Sequence, residues 1–179
     1  MAARSTRVAL GILAAAALFG SAPVSAGPRE DTEEGERAYG RDDVVTAMSL
    51  FRRAADAGYA PAQARMGDIL DAAEEDAQAV EFYRKAASQN LAAGEYGLGR
   101  MYDKGEGVAR DPAEALKWYR RAAEKDYVLA VQIIAYAYLV GALGLPASRE
   151  DAEVWGKRVV RLGGSMPTLP KQAEKGARK

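Results

Sequence analysis

The sequence predicts an all-α protein, a right-handed α-solenoid in which antiparallel helix pairs stack along one axis. Three observations support this fold class. Alanine supplies 38 of the 179 residues and isoleucine only four, a balance that favours helix over sheet. A nine-residue block recurs four times at spacings of 32, 36 and 37 residues. Each copy is followed by a residue type that tolerates a left-handed backbone, as at the end of a helix.

The first 26 residues predict a secretory signal peptide. Arg4 and Arg7 form a positive start, Val8 to Phe19 is an uncharged apolar run, and Val24-Ser25-Ala26 has the small residues that signal peptidase requires. As a helix this run rises only about 18 Å, too short for a hydrocarbon core of about 30 Å. We therefore expect cleavage after Ala26, no membrane span in the mature chain, and a periplasmic or secreted location. An uncleaved N-terminal anchor is the alternative.

Residues 27–40 predict a polar N-terminal cap or linker. The stretch from Asp31 to Gly40 is acidic and nearly devoid of apolar side chains, so it offers little surface to bury against another helix. At most we expect a frayed half-repeat here, which would leave the first unit with its second helix alone.

Residues 41–163 predict helix B of a first unit, followed by three full pairs of a helix A and a helix B. The recurring block marks helix B at Ala47–Ala55, Ala79–Ala87, Ala115–Ala123 and Ala152–Val160. The left-handed positions after these blocks are Gly58, Asn90, Asp126 and Gly163. Helix A is marked in register by Met66-Gly67, Leu98-Gly99 and Ile134-Ala135. A single pair cannot bury its apolar face alone, so neighbouring units must stack.

Two helix starts are marked by capping residues. Asp111 is the expected N-cap of the third helix B, with Pro112 at the first helical position and Glu114 completing a start like a capping box. Ser148 with Asp151 repeats the device one unit later.

Aromatic and small residues predict how the two helices of a pair meet. In helix B, Phe82 and Trp118 each share a stripe with two alanines, so these rings are expected to fill the layer between helices. In helix A, Gly67 and Gly99 are costly in a helix interior, and a close helix crossing explains them.

The third unit carries a specific pattern from Leu98 to Ala123. It reads Leu98-Gly99-x-x-Tyr102-x-x-Gly105-x-Gly107-Val108-x-x-Asp111-x-x-x-Ala115-x-x-Trp118-Tyr119-x-x-Ala122-Ala123. This pattern resembles the Sel1-like repeats, relatives of the tetratricopeptide repeats. The resemblance implies a protein–protein interaction scaffold, as found in signalling, secretion and envelope assemblies. The second unit departs from the pattern because it lacks the glycine loop, and the fourth has Gly156 where Tyr119 would be.

The composition excludes several kinds of chemistry. Without cysteine or histidine, the chain has no thiolate nucleophile, no soft zinc site and no dyad of serine or cysteine with histidine. Equal numbers of acidic and basic residues argue against nucleic acid as the main partner. The sequence therefore predicts no catalytic residue, no metal site and no cofactor.

The A helices of a stacked array line its inner, concave surface, so their side chains that face away from the core are binding candidates. Tyrosine and arginine among them are typical of interface hot spots. The candidates are Asp68, Asp71, Tyr96, Arg100, Asp103, Gln132 and Tyr136, with Ala64 and Leu139 at equivalent positions. The alternative is an ordinary solvated helix surface.

Three functions are compatible with these residues. The first is an exported scaffold, adaptor or regulator that binds a protein partner on the concave face. The second is a module that binds glycan or peptidoglycan, with Tyr96, Tyr102 and Tyr136 as stacking surfaces. The third is a hydrolase, for which the sequence offers no catalytic group.

The fourth unit contains an uncharged run, Val128 to Leu145, that coincides with its helix A and loop. We expect a helix that is apolar nearly all round, with Leu129, Ile133, Tyr136 and Val140 opposite the core. Residues 164–179 predict a flexible basic tail, whose apolar first half is expected to fold back over this helix unless a partner covers it.

Overall fold

The computed structural model describes residues 27–165, and all regular secondary structure in that range is α-helical. The helices are α1 (Pro28–Tyr39), α2 (Val44–Asp56), α3 (Ala60–Ala72), α4 (Asp76–Ser88), α5 (Ala92–Lys104), α6 (Pro112–Glu124), α7 (Val128–Val140) and α8 (Arg149–Arg161). The predicted signal peptide, residues 1–26, and the predicted tail beyond Ser165 lie outside the described residues.

The helices of this range form four consecutive pairs, and each second helix also contacts the first helix of the next pair. Helix α3 contacts both α1 and α5. No comparable contact joins the second helices of neighbouring pairs within residues 27–165. The first helices of the first three units, which are A helices, therefore lie against one another on the inner side of the array. The predicted all-α solenoid of antiparallel helix pairs is confirmed.

The turn after each helix B uses the left-handed residue that the sequence predicts. The φ angles are 86° at Gly58, 65° at Asn90, 58° at Asp126 and 81° at Gly163. The N–H of the following residue then donates to a carbonyl in the last turn of the helix, in the pairs Tyr59 to Ala54, Leu91 to Ala86, Tyr127 to Ala122 and Gly164 to Val159. This bond satisfies a carbonyl that the helix end would leave without a donor.

The predicted helix starts are also confirmed. The Asp111 carboxylate accepts hydrogen bonds from the backbone N–H groups of Ala113 and Glu114, both at 3.0 Å. The Ser148 hydroxyl accepts one from the N–H of Asp151 at 3.2 Å. Both caps are local, so the residue types alone identify them.

Residues 27–40, predicted as a cap or linker, instead supply a complete helix A for the first unit. Asp31 is buried and accepts two hydrogen bonds from Arg53 of α2, the one from Nε measuring 2.6 Å. Gly35 lies against the ring of Phe51, and Ala38 is fully buried. The helix packs through small residues and an ion pair. It can therefore form without large apolar side chains, whose absence from the sequence predicts a linker.

An aromatic ring on helix B packs against a glycine on helix A in each of the first three units. A Cβ added to these glycines would lie only 2.6 to 2.8 Å from a ring carbon. The pairs are Gly35 with Phe51, Gly67 with Tyr83, and Gly99 with Tyr119. The predicted close crossing at Gly67 and Gly99 is therefore confirmed, and what occupies the space is a ring of the partner helix.

Trp118, predicted to fill the layer between helices, packs against the core but is less buried than the sequence predicts. Phe82 is buried as expected, but Trp118 is only partly buried and carries the guanidinium of Arg121 at 4.8 Å from its ring centre. Tyr119 is the side chain buried inside the pair. The ring that is buried inside the pair is the one that faces a glycine on helix A. The stripe of alanines on helix B does not by itself show which ring this is.

The glycine loop of the third unit joins two units. Gly105 ends α5 with a φ of 80°, and Gly107 follows with a φ of 67°. A Cβ on Gly107 would lie 2.4 Å from the carbonyl oxygen of Asp76, at the start of α4. The loop thus needs glycine for contact with the neighbouring unit as well as for its backbone conformation.

Helix α7 is 13 residues long, and its buried residues are apolar. No helix within residues 27–165 combines the length and apolar character needed to cross a membrane.

Tyr119→Ala should destabilise the fold more than Trp118→Ala, although the residues are adjacent. We expect a loss of about 3–5 kcal/mol for Tyr119→Ala, because a buried ring leaves a cavity against Gly99. The partly exposed Trp118 should lose less. Urea unfolding of both variants measures the difference, and a larger loss for Trp118→Ala would contradict this assignment of the core.

Candidate binding surface

The inner surface consists of the A-helix side chains that face neither helix B nor the core. Three equivalent positions in each unit define it: Thr32, Glu36 and Tyr39; Ala64, Asp68 and Asp71; Tyr96, Arg100 and Asp103; Gln132, Tyr136 and Leu139. Seven of these are the residues predicted from the sequence. Ala64 is buried, so it contributes no exposed side chain.

Between the first and second units, Arg65 organises the inner surface. Its guanidinium donates to both carboxylate oxygens of Glu36, at 2.5 and 2.8 Å, and lies 3.7 Å from the carboxylate of Asp68. It also lies over the rings of Tyr39 and Phe51, at 5.1 and 5.6 Å from their centres. Such a bidentate and stacked arginine fixes the spacing of α1 and α3.

Asp68 connects this surface to the core. Its carboxylate accepts a hydrogen bond from the hydroxyl of Tyr83 at 2.9 Å. Burial raises the pKa of Asp68, and the hydrogen bond from Tyr83 and the nearby Arg65 only partly oppose this effect. Burial also raises the pKa of Tyr83, so its hydroxyl stays protonated as a donor.

Between the second and third units, Arg100 forms an ion pair with Asp71. The Arg100 side chain is 28% exposed and that of Asp71 only 12%. The guanidinium lies 6.0 Å from the ring centre of Tyr96, which packs against Tyr127 and Tyr119 at centroid distances of 5.2 and 5.8 Å. Burial raises the pKa of Tyr96.

The structure therefore brings Asp68, Asp71, Tyr96 and Arg100 together, but it pairs them with the protein itself. The sequence alone predicts that all four side chains face solvent, and of the three carboxylate and guanidinium groups only Asp68, at 48% exposed, largely does so. The ion pair of Asp71 with Arg100 joins residues 29 positions apart, in different units, and no local pattern signals it. On the second and third units the inner surface is largely engaged in holding adjacent A helices together.

The inner surface changes character at the fourth unit. Tyr136 and Leu139 are partly exposed and apolar, and Leu129 and Val140 on the same helix are exposed. Gln132 donates a hydrogen bond to the backbone carbonyl of Ser165 at 3.1 Å. Helix α7 itself contains no charged residue, so it presents apolar surface that could bind a partner.

Asp103 lies in the last turn of α5, on the unit that precedes this apolar surface. Its backbone carbonyl accepts a hydrogen bond from Arg110 at 2.8 Å. Among the described residues its carboxylate forms no ion pair within 4 Å. Among the described residues, Asp103 and Tyr136 are thus the predicted residues whose side chains form no hydrogen bond, ion pair or ring contact, whereas Asp68 is 48% exposed but is engaged by Tyr83 and Arg65.

A buried carboxylate, Glu95, was missed by sequence reasoning. Glu95 is fully buried and accepts hydrogen bonds from Arg121 at 3.0 Å and Lys125 at 2.7 Å. A buried, paired carboxylate could indicate a catalytic site. The equivalent positions in the other units decide against this, because they are Asp31 bound to Arg53, Gln63 bound to Gln89 at 2.7 Å, and the apolar Val131.

The repeat itself could have identified this position. An acid or amide recurs every 32 residues at Asp31, Gln63 and Glu95, and a basic residue recurs on helix B at Arg53, Lys85, Arg121 and Arg158. Within residues 27–165 no group of three or more histidine, cysteine or carboxylate side chains could hold a metal ion.

Comparison with known proteins identifies the repeat. The family model described as "Sel1 repeat" matches residues 33–59, 60–91 and 92–127. Two solved structures share the fold. One is a protective antigen of uropathogenic Escherichia coli with an SLR fold, at a TM-score of 0.69 and 35% identity over 76% of this chain. The other is a Sel1 repeat protein of Oxalobacter formigenes, at a TM-score of 0.68 and 29% identity over 74% of this chain.

Curated relatives are similar over a shorter stretch. Chitin synthase regulatory factor 3 of Schizosaccharomyces pombe is 35% identical over 46% of this chain. DAP3-binding cell death enhancer 1 of Rattus norvegicus is 37% identical over 55% of it. The chain covers only 9% and 20% of the lengths of these two relatives, and 31% and 55% of the two solved structures.

Replacing both Glu95 and Lys125 by glutamine should reproduce the neutral pair that the second unit already uses. The change at Lys125 leaves the fully buried Glu95 carboxylate with Arg121 and an amide, and the change at Glu95 leaves Lys125 and Arg121 with an amide. We expect a loss of about 1–3 kcal/mol from each. The double variant should lose less than the sum, by on the order of 1 kcal/mol, because the amides can bond to each other as Gln63 and Gln89 do. Urea unfolding of the four proteins measures the coupling, and strict additivity would refute it.

Asp68→Asn should gain stability relative to wild type as pH rises. A carboxyl group whose pKa is raised by folding stabilises the fold fully only below its unfolded pKa, and that contribution is lost as pH rises through the folded pKa. The introduced amide can still accept the bond from Tyr83. The stability difference, measured by urea unfolding, should favour the Asp68→Asn variant increasingly from about pH 4 to pH 7. A difference that moves the opposite way would contradict the direction given for Asp68.

Proposed function

Because the chain belongs to the Sel1 repeat family, we propose that it is an exported protein–protein interaction scaffold, an adaptor or regulator that binds its partner on the inner surface. Sel1 repeat arrays are typical of such scaffolds and are generally not catalytic. The observation that carries the proposal is the contrast along the inner surface. Its second and third units are largely self-paired, whereas Tyr136 and Leu139 of the fourth unit present partly exposed apolar side chains.

The names of two relatives support a role in protein interaction. One is a chitin synthase regulatory factor, and the other is a DAP3-binding protein. Both names describe proteins that act through another protein. For this chain, the binding residues proposed are Tyr136 and Leu139, with Asp103 supplying a negative charge beside them. A central apolar contact with a polar rim is typical of protein interfaces.

The proposed location is the periplasm or the extracellular space. It rests on the charged start, the apolar run and the small residues before position 27. Cell fractionation with intact-mass measurement tests this separately, because cleavage after Ala26 gives a chain that begins at Gly27.

The alternative of a glycan-binding module gains less support from the geometry. Tyr96 is packed between Tyr119 and Tyr127, and Tyr102 is partly buried against both parts of the core. These rings are not free to lie flat on a sugar. Of the three tyrosines proposed for stacking, only Tyr136 remains outside the core clusters.

A photoreactive residue at position 136 should crosslink one dominant exported protein in cells. The matched control is position 117, on the outer side of α6, where the lysine side chain is 71% exposed. Mass spectrometry identifies the product. Crosslinks of equal yield from positions 136 and 117 would show that the inner surface has no special role.

Alanine at Tyr136 and Leu139 should weaken that partner while leaving the fold intact. Truncating an interface hot spot costs about 2 kcal/mol or more of binding free energy. These side chains are partly exposed and outside the buried core, so the melting temperature should change little. Binding to the captured partner is measured by calorimetry, with Lys117→Ala as the control. Unchanged affinity of the double variant would exclude this part of α7 from the interface.

A further inference from the structure

The chain leaves its last helix and turns onto the inner surface of the fourth unit. A Cβ added to Gly164 would lie 2.8 Å from side-chain atoms of both Val128 and Val159, so the backbone there is in close contact with α7 and α8. The next residue, Ser165, accepts the hydrogen bond from Gln132. Gln132 belongs to the same stripe as Tyr136 and Leu139. The described part of the chain therefore ends at the start of the apolar surface of α7.

This exit coincides with the place where a fifth unit would begin. Gly164 is equivalent to Tyr59, Leu91 and Tyr127, the residues that precede α3, α5 and α7. The sequence that follows does not continue the repeat. Pro170 falls at the position of Ile133 in the middle of α7, and a proline inside a helix removes a hydrogen bond and clashes with the preceding turn.

The surface that a fifth unit would cover is apolar. Val160 is 55% exposed, whereas the equivalent residues of the other units, Ala55, Ala87 and Ala123, are at most 4% exposed because the next helix A covers them. Leu129 is exposed on the neighbouring face of α7. Repeat arrays require a cap on such an end face.

The sequence of residues 166–179 begins with apolar side chains and continues with basic ones. Met166 and Leu169 are apolar and come first. Four basic residues and one acidic residue follow, at Lys171, Glu174, Lys175, Arg178 and Lys179. On the inner surface, the nearest unit to α7 carries an acidic residue, Asp103, in the last turn of α5. The C-terminal ends of helices also attract positive charge.

The lengths agree with this order of contacts. Along α7, Gln132 and Leu139 are separated by seven residues, which is about 10 Å. Four residues of extended chain after Ser165 span about 13 Å, which brings Leu169 to the level of Leu139. The ten residues from 170 to 179 can then cross two further helices, since packed helices lie about 8–10 Å apart.

We propose that residues 166–179 bind back onto the inner surface of their own chain, with Met166 and Leu169 on Tyr136 and Leu139 and the basic residues facing Asp103. The segment serves as the missing cap. If the inner surface binds a partner, as proposed above, the segment also occupies that site until the partner displaces it.

The chain has no cysteine, so a pair of introduced cysteines reports the position of this segment directly. In the chain from Gly27 to Lys179, Leu139→Cys with Leu169→Cys should form an intramolecular disulfide under mild oxidation. The control is Val154→Cys with Leu169→Cys, because Val154 is exposed on the outer helix of the same unit. The inner pair should crosslink on the order of tenfold faster, because a docked segment has a high effective concentration near its site.

Electrophoresis without reductant and mass spectrometry distinguish the outcomes. A fast intramolecular disulfide only in the inner pair supports the proposal. A disulfide-linked dimer would overturn it in favour of a second copy, and equal rates in the two pairs would overturn docking altogether. The result is independent of any partner, so it stands or fails separately from the proposed function.

Charge reversal tests the basic half of the segment. Lys171→Glu with Lys175→Glu, in the chain that carries the inner cysteine pair, should slow disulfide formation several-fold at low salt, with a smaller difference at high salt. Circular dichroism confirms that the helices are retained. An unchanged rate at low salt would exclude the contact with Asp103.

Discussion

The fold depends on the contact between an aromatic ring on helix B and a glycine on helix A. Because Gly67 and Gly99 have no side chain, the rings of Tyr83 and Tyr119 can lie against the opposing helix backbone. Each ring then fills the space between the two helices, which in an ordinary helix pair is filled by side chains from both helices. Glycine is unfavourable in a helix interior by roughly 0.5–1 kcal/mol, and burial of a large ring offsets this. The fourth unit lacks both partners, since Ala135 and Gly156 take these positions, so α7 and α8 rely on aliphatic packing.

This difference explains why the apolar surface lies at one end of the array. In the first three units the rings and the buried polar positions hold each pair together, and ion pairs between A helices join the pairs. The fourth unit has Val131 where the third has Glu95, and Tyr136 where the third has Arg100. Each replacement exchanges a charged group for an apolar or aromatic one. The same replacements that remove polar contacts from the last unit therefore leave apolar side chains on its inner surface, and their hydration is unfavourable.

The sequence predicts the features that depend on near neighbours along the chain. The caps at Asp111 and Ser148 and the turns after each helix B require only the right residue type at the right place, and all of them are found. Features that depend on residues from different units could not be predicted in this way. The ion pair of Asp71 with Arg100 and the burial of Asp31 by Arg53 both join distant parts of the sequence. The choice between Trp118 and Tyr119 also depends on which helix B position faces a glycine on helix A.

The ion pairs within the inner surface also affect where on that surface a partner can bind. A partner that approached the second or third unit would have to break the contacts of Arg65 with Glu36 or of Arg100 with Asp71 before forming its own, and half-buried ion pairs are costly to separate. On the fourth unit no such contact has to be broken around Tyr136 and Leu139. A binding segment gains most where it displaces only water from apolar side chains, and it gains orientation from a charge held at the edge. In the proposed binding mode, Asp103 supplies that charge, so the fourth unit is where binding would begin and the third would set its polarity.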